Sequence, residues 1–238
     1  MSIEILLVAI VIFFAAALQG VFGFAFMLIA LPLLSYVMSL KTAVPLLSLL
    51  FFLSSLIQMF QLKGKFECRN VMSLLVGAVF GIPVGIFFVL ELNDRLTKGV
   101  LGFLLIVYSL YSLLVRRRPL RFPEWTGYLF GFAAGVLGGT FNMTGPPAVF
   151  YIAGQQWQKD NIVGSLNFFF FITTVLVIAF HIVAGNLTQE ITIKFLMLSP
   201  VMVAGLLIGL HIFRKVNEDN YRKGLFVLLM IMGVMLLF

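Results

Sequence analysis

The chain has 238 residues, 62% of them hydrophobic and 11% charged, with a formal net charge of +7. A soluble domain carries about 25% charged residues, so the composition excludes that class and describes a polytopic membrane protein with little mass outside the bilayer. The basic excess falls in short loops between apolar runs, where it sets topology and meets lipid headgroups, so nucleic acid is not an expected partner. Cys68 is the only cysteine, which excludes disulfides within the chain and multi-cysteine metal sites. No cofactor or metal is expected.

The first apolar run, residues 5–40, has no charged side chain and contains Gly20, Gly23 and Pro32. The N-terminus lacks a basic n-region and a cleavage pattern, so the run is read as a retained membrane element. As one straight helix it would be about 54 Å long against a hydrocarbon core of about 30 Å. A break near Gly20–Gly23 is therefore expected, with the chain returning as a hairpin. Broken helices at membrane depth are tolerated mainly where they line a protein cavity. Three spans follow at residues 42–62, 71–90 and 97–115, and the basic segment Arg116–Arg121 ends the first half. A second broken run covers residues 125–158, interrupted at Gly138–Pro147. Spans 161–184, 191–213 and 221–238 complete the chain.

The two halves, residues 1–118 and 119–238, match each other. At an offset of 115, Gly20 meets Gly135, Gly23 meets Gly138 and Pro32 meets Pro147. At 119, Ser48 meets Asn167, Ser54 meets Thr173 and Ser55 meets Thr174. At 124, the pair Gly81/Gly85 meets Gly205/Gly209. If each broken run crosses once, the Lys and Arg residues divide 8 against 8, which orients nothing. If each is a hairpin, Lys63, Lys65, Arg69, Arg116, Arg117, Arg118, Arg121, Lys159, Arg214, Lys215, Arg222 and Lys223 share one side. Lys41, Arg95, Lys98 and Lys194 take the other, a split of 12 to 4 of the kind the positive-inside rule expects. The expected fold is thus an all-α polytopic integral membrane protein of two inverted repeats. Each repeat is a broken-helix hairpin plus three transmembrane helices, in one transmembrane domain with both termini outside.

No Asp, Glu, Lys or Arg lies well inside an expected span. An anion at membrane depth would have to be held by backbone N–H groups at half-helix N-termini and by hydroxyls and amides. Pro146 and Pro147 fit a first helical turn, Asn142 or Thr144 could cap it, and Gly138, Gly139 and Gly145 permit close backbone approach. A central small-anion site between the two hairpin tips is expected, lined by Gln19, Gly20, Gly23, Thr140, Asn142, Thr144 and Gly145. The following spans would add Ser48, Ser165 and Asn167. The competing reading makes Asn142 and Thr144 helix caps only, the glycines packing surfaces, and Ser48 and Asn167 interhelical hydrogen-bonding groups. Gly81/Gly85 and Gly205/Gly209 read as packing faces, within one chain or between copies in a homo-oligomer. Pro83 and Pro200 read as kinks. His181 and His211 are candidates for proton coupling, against a structural role for each. Trp125 and Trp157 read as interfacial anchors, and the run Phe168–Phe171 as lipid-facing or packing surface.

These residues carry a resemblance over nearly the whole chain. Gly20-Val-Phe-Gly23 leading to Leu31–Pro32 and Lys41-Thr-Ala-Val44 resembles the opening of the sulfite exporter TauE/SafE family of membrane permeases. So does the second copy, Gly135-Val-Leu-Gly-Gly139 through Gly145-Pro-Pro147 and Gly164–Ser165, together with the paired Gly-xxx-Gly motifs. The chain departs at Pro45–Leu46, where similar sequences carry a small or hydroxyl residue. The resemblance implies export of small anions: sulfite, organosulfonates or related sulfur compounds. The implied location is the cell inner (plasma) membrane, multi-pass, with membrane lipid and the small anion as partners.

An intramembrane enzyme is disfavoured. Ser165 and His181 are sixteen residues apart, about 24 Å along a straight helix, too far to act as nucleophile and base. A cation-coupled importer or channel is the first alternative, weakened by the lack of acidic rings. A non-transport assembly protein is the second, and it requires no broken runs.

Overall fold

The computed structural model describes residues 3–22, 25–61, 68–91, 122–153 and 159–212. It also describes a few positions elsewhere: 95–96, 99–100, 102–103, 106–107, 109–110, 230 and 234. The described chain is all helical: α1 (Ile3–Phe22), α2 (Ala25–Leu34), α3 (Leu40–Gln61), α4 (Cys68–Glu91), α5 (Thr126–Phe141), α6 (Gly145–Ala153), α7 (Lys159–Val183) and α8 (Gln189–Ile212). Five of these, α1, α3, α4, α7 and α8, are long and apolar enough to cross a membrane. The expected spans 97–115 and 221–238 lie outside the described residues except for isolated positions.

Both broken runs are interrupted. The first run divides into α1 and α2, and the ten residues of α2 reach only about 15 Å, half the hydrocarbon core. The second run divides at Asn142, whose left-handed backbone (φ 52°, ψ 28°) ends α5. The N–H groups of Asn142 and Met143 turn back onto the carbonyls of Gly138 (2.7 Å) and Leu137 (3.1 Å). Asparagine tolerates that conformation better than other residues with a Cβ. The chain then folds back. The Tyr151 ring of α6 lies tilted 5.8 Å from Phe130 of α5, and its hydroxyl donates to the Glu124 carbonyl at 3.5 Å. The second hairpin therefore returns toward the side on which α5 starts.

The surface is greasy and much of the interior is small or polar, as a chain in lipid requires. Phe60, Phe80, Phe87, Leu129 and Leu196 are exposed, while Ser48, Ser54, Ser55, Thr173 and Thr174 are buried. In the run Phe168–Phe171, Phe169 and Phe170 are buried, so packing is the role found for them.

The chain forms two compact units, each drawing segments from both halves. One comprises Met1–Ala43, Leu92–Arg118 and Leu196–Phe238; the other comprises Val44–Glu91 and Pro119–Phe195. In the first unit, α1 and the C-terminal part of α8 touch backbone to backbone. A Cβ on Gly20 would lie 2.6 Å from the Leu206 carbonyl oxygen and 2.7 Å from the Leu210 nitrogen. Cβ atoms on Gly205 and Gly209 would fall on the carbonyls of Phe13 and Ala17. In the second unit, α4 and α5 make the same kind of interface. A Cβ on Gly135 would lie 2.5 Å from the Ala78 carbonyl oxygen and 3.0 Å from the Gly81 Cα. Gly77 and Gly81 would meet the carbonyls of Tyr128 and Phe132.

On the repeat expected from the sequence, these contacts favour a different register for the glycine match. Phe13, Ala17 and Gly20 correspond to Tyr128, Phe132 and Gly135, all at an offset of 115. The glycines that face them, Gly205 and Gly209, then correspond to Gly77 and Gly81, not to Gly81 and Gly85. The slip is one helical turn. Its cause is visible in α4, where Gly77, Gly81 and Gly85 repeat every fourth residue, so a two-glycine motif fits in two registers.

Within the second unit, α3 and α7 meet through aromatic side chains. Phe51 packs on Phe170 with ring centroids 6.2 Å apart, and Phe52 stacks on Phe171 at 5.7 Å. Both pairs join phenylalanines 119 positions apart, the offset at which Ser54 and Ser55 meet Thr173 and Thr174 in the sequence.

Candidate functional site

The second hairpin tip is the best-defined polar site among the described residues. It begins with the cap on α5. Asn142 is 1% exposed, and neither its Nδ2 nor its Oδ1 has a hydrogen-bond partner. A buried amide left unmade costs about 1–3 kcal/mol for each unpaired group. The cap itself is made by the backbone N–H, as in any left-handed C-cap, and leaves the amide open.

Directly after it, α6 starts at Gly145. Pro146 and Pro147 occupy its first turn, where the fixed φ suits a helix. They also bring no N–H, so the open donors of this helix start narrow to Thr144 and Gly145. The partial positive charge of the helix end remains, with few backbone donors to use it. The open amide of Asn142 and the hydroxyl of Thr144, both buried, supplement that set. An oxyanion seated here would find donors and a positive helix end, with no fixed cation to trap it.

The neighbouring helix is fixed by Gly138. A Cβ there would lie 2.5 Å from Thr144 Cγ2 and 4.0 Å from Val177 Cγ2, so the tip sits against α7 at the level of Val177. Ser165 and Asn167 precede Val177 by twelve and ten residues, about 18 and 15 Å along the helix. The nearer polar neighbours on α7 are Thr173, Thr174 and His181, each about one turn from Val177, and Thr173 Oγ1 donates to the Phe169 carbonyl at 2.8 Å. Sequence reasoning matched Thr174 to Ser55 but did not place it at the site. The spacing of Asn167, Thr174 and His181, seven residues each time, was the available signal.

The other expected residues divide by role. Thr140 donates to the carbonyls of Val136 (2.8 Å) and Gly85 (3.1 Å), which ties α5 to α4. Ser48 donates to the Val44 carbonyl at 2.7 Å. Ser165 Oγ is buried without a partner, and Asn167 is buried. His211 is exposed near the end of α8, and Gly23 lies outside the described residues.

In the other unit, Gly20 is a packing contact of α1 on α8, and Gln19 Oε1 accepts the Phe26 N–H at 2.9 Å. Gln19 thus satisfies a donor at the start of α2 that a ligand would otherwise use. Gln19→Leu is expected to cost about 1 kcal/mol, the usual value of a lost cap, read as a fall of a few degrees in melting temperature. Any anion-dependent stabilisation should persist in this variant; its loss would make Gln19 a ligand group.

The chain is 26% identical over 184 residues to the probable sulfite/organosulfonate exporter TauE of Cupriavidus necator, covering 74% of this chain and 72% of that protein. No solved structure matches significantly. The family model for the sulfite exporter TauE/SafE matches residues 8–236. A match of that extent, on a chain with five membrane-length apolar helices and two interrupted runs, makes this multi-pass membrane protein a member of the sulfite exporter TauE/SafE family of transporters.

Proposed function

We propose that this protein exports a small sulfur oxyanion, sulfite or an organosulfonate, across the cell inner membrane, and that the anion is held at the tip of the α5–α6 hairpin. One observation carries the reading: the Asn142 amide is buried, with both polar atoms unpartnered, beside the N-terminus of a half-helix. The tip offers hydrogen-bond donors and a partial positive charge, which suit a tetrahedral or pyramidal oxyanion. It offers no formal charge, so the anion can leave as well as enter. An inside-negative potential drives outward anion movement by about 2.3 kcal/mol per charge per 100 mV, so no coupling ion is required.

The topology that accompanies this function has two inverted repeats, with both termini outside. The 12 to 4 division of basic residues supports it, as does the equivalence of the α1–α8 and α4–α5 interfaces. The pairs Phe51–Phe170 and Phe52–Phe171, each 119 residues apart, support the repeat as well.

The test is ligand-dependent thermal stabilisation of the purified protein with sulfite, sulfate, methanesulfonate, thiosulfate, acetate and Na⁺. A ligand present at about 100 times its Kd stabilises by about 2.7 kcal/mol. A rise in melting temperature with sulfite or methanesulfonate is expected. A rise with Na⁺ alone would overturn the reading in favour of a cation-coupled carrier.

A further inference from the structure

We propose that Thr174 and His181 of α7 continue the anion site of the hairpin tip into a permeation path, with Thr174 Oγ1 and His181 Nε2 as its next two hydrogen-bond donors. This rests on the anion reading above and extends it to residues outside the tip.

The face of α7 carries the argument. Asn167, Phe170, Thr174, Val177 and His181 recur at helical spacing and are all buried, while Val175, Ala179 and Ile182 on other faces are exposed. The buried face looks onto the hairpin, since a Cβ on Gly138 would lie 4.0 Å from Val177 Cγ2. On that face Thr174 Oγ1 and His181 Nε2 are both without partners. Two unmade polar groups on one helix, about 10 Å apart and flanking the tip, are unfavourable unless water or a ligand completes them.

The local structure aims His181 for this task. Gly185, at φ +70°, ends α7 with a Schellman turn: Gly185 N–H donates to the Ile182 carbonyl (3.0 Å) and Asn186 N–H to the His181 carbonyl (2.9 Å). That turn brings Asn186 Nδ2 to within 3.1 Å of His181 Nδ1. With Nδ1 accepting this bond, the neutral ring carries its proton on Nε2, the atom that has no acceptor. The imidazole is therefore oriented as a donor by a turn built at the helix end.

The matching helix α3 repeats the polar face with Ser48, Ser55 and Gln58, all buried. At the position matching His181, however, the sequence has Leu62. The imidazole donor belongs to one copy only.

The test is sulfite flux in proteoliposomes, with melting temperature measured on each variant. Thr174→Val keeps the shape and removes the unpaired hydroxyl. It is expected to lower flux at least ten-fold without lowering the melting temperature, and Thr174→Ser is expected to restore flux. His181→Leu is expected to act like Thr174→Val, with His181→Gln, whose Nε2 can occupy the donor position, recovering most of the flux. Wild-type flux in both Thr174→Val and His181→Leu, with Asn142→Gly impaired, would overturn the path and leave the tip site standing. Absence of anion flux in the unsubstituted protein would overturn the transport reading itself. If His181→Leu does not fold, the Thr174 pair decides alone.

Discussion

Asn142→Gly is expected to weaken sulfite-dependent stabilisation and flux about ten-fold or more while leaving the folded protein as stable as before or more so. The backbone at position 142 is left-handed, a conformation glycine adopts without penalty, so the turn between α5 and α6 survives the change. What disappears is an amide whose two polar atoms are buried without partners. Removing an unmade buried group relieves a cost of about 1–3 kcal/mol. Loss of even one good donor to the anion weakens binding by about 1.4 kcal/mol or more, a factor of ten. The two readouts move in opposite directions, which separates a ligand group from a structural one. Asn142→Asp is the companion variant: it keeps the shape and the tolerance for this backbone but presents a carboxylate, and sulfite should be excluded. Sulfite-dependent stabilisation in Asn142→Gly equal to that of the parent protein would remove this residue from the site.

The largest loss of stability is expected at the α4–α5 interface. Gly139→Leu would drive a side chain into the Ile82 carbonyl and to within 2.8 Å of the Ile86 nitrogen. Those obstacles are backbone, which cannot rotate away, so the helices must separate. Overpacking of this kind costs about 3 kcal/mol or more, and a melting temperature lower by about 10 °C, or no monodisperse protein, should be observed. Gly99→Leu is the control, because a Cβ there meets nothing within 4 Å. Equal melting temperatures for the two variants would mean that α4 and α5 do not depend on this close approach.

The division of the first run was legible because bilayer thickness is a ruler: an uncharged run of 36 residues could not cross once without bending. The site was legible in part. Glycine, asparagine and proline between residues 138 and 147 announce a special backbone, and the αL cap at Asn142 uses that chemistry. The role of Gln19 was hidden, since a side-chain acceptor seven positions from its donor, the Phe26 N–H, follows no local rule. The glycine register was hidden for a different reason. Three glycines at one spacing give a degenerate pattern, and only the opposing carbonyls of Tyr128 and Phe132 select among the alignments. Thr174 and His181 were visible as residues but not as neighbours of the tip, because which face of α7 turns inward is settled by Val177 packing under Gly138.

The aromatic pairs of α3 and α7 have a consequence for how such a chain can specialise. In a symmetric pair of half-length chains, Phe51 and Phe170 would be one residue touching itself, and every substitution would appear at both tips together. Joined in one polypeptide, the copies vary separately. Here one tip quiets its own helix start with Gln19, while the other leaves Asn142 open and sets His181 where its twin has Leu62. On the proposed reading the two tips thus divide the labour, the Gln19 tip giving support and the Asn142 tip recognising the anion.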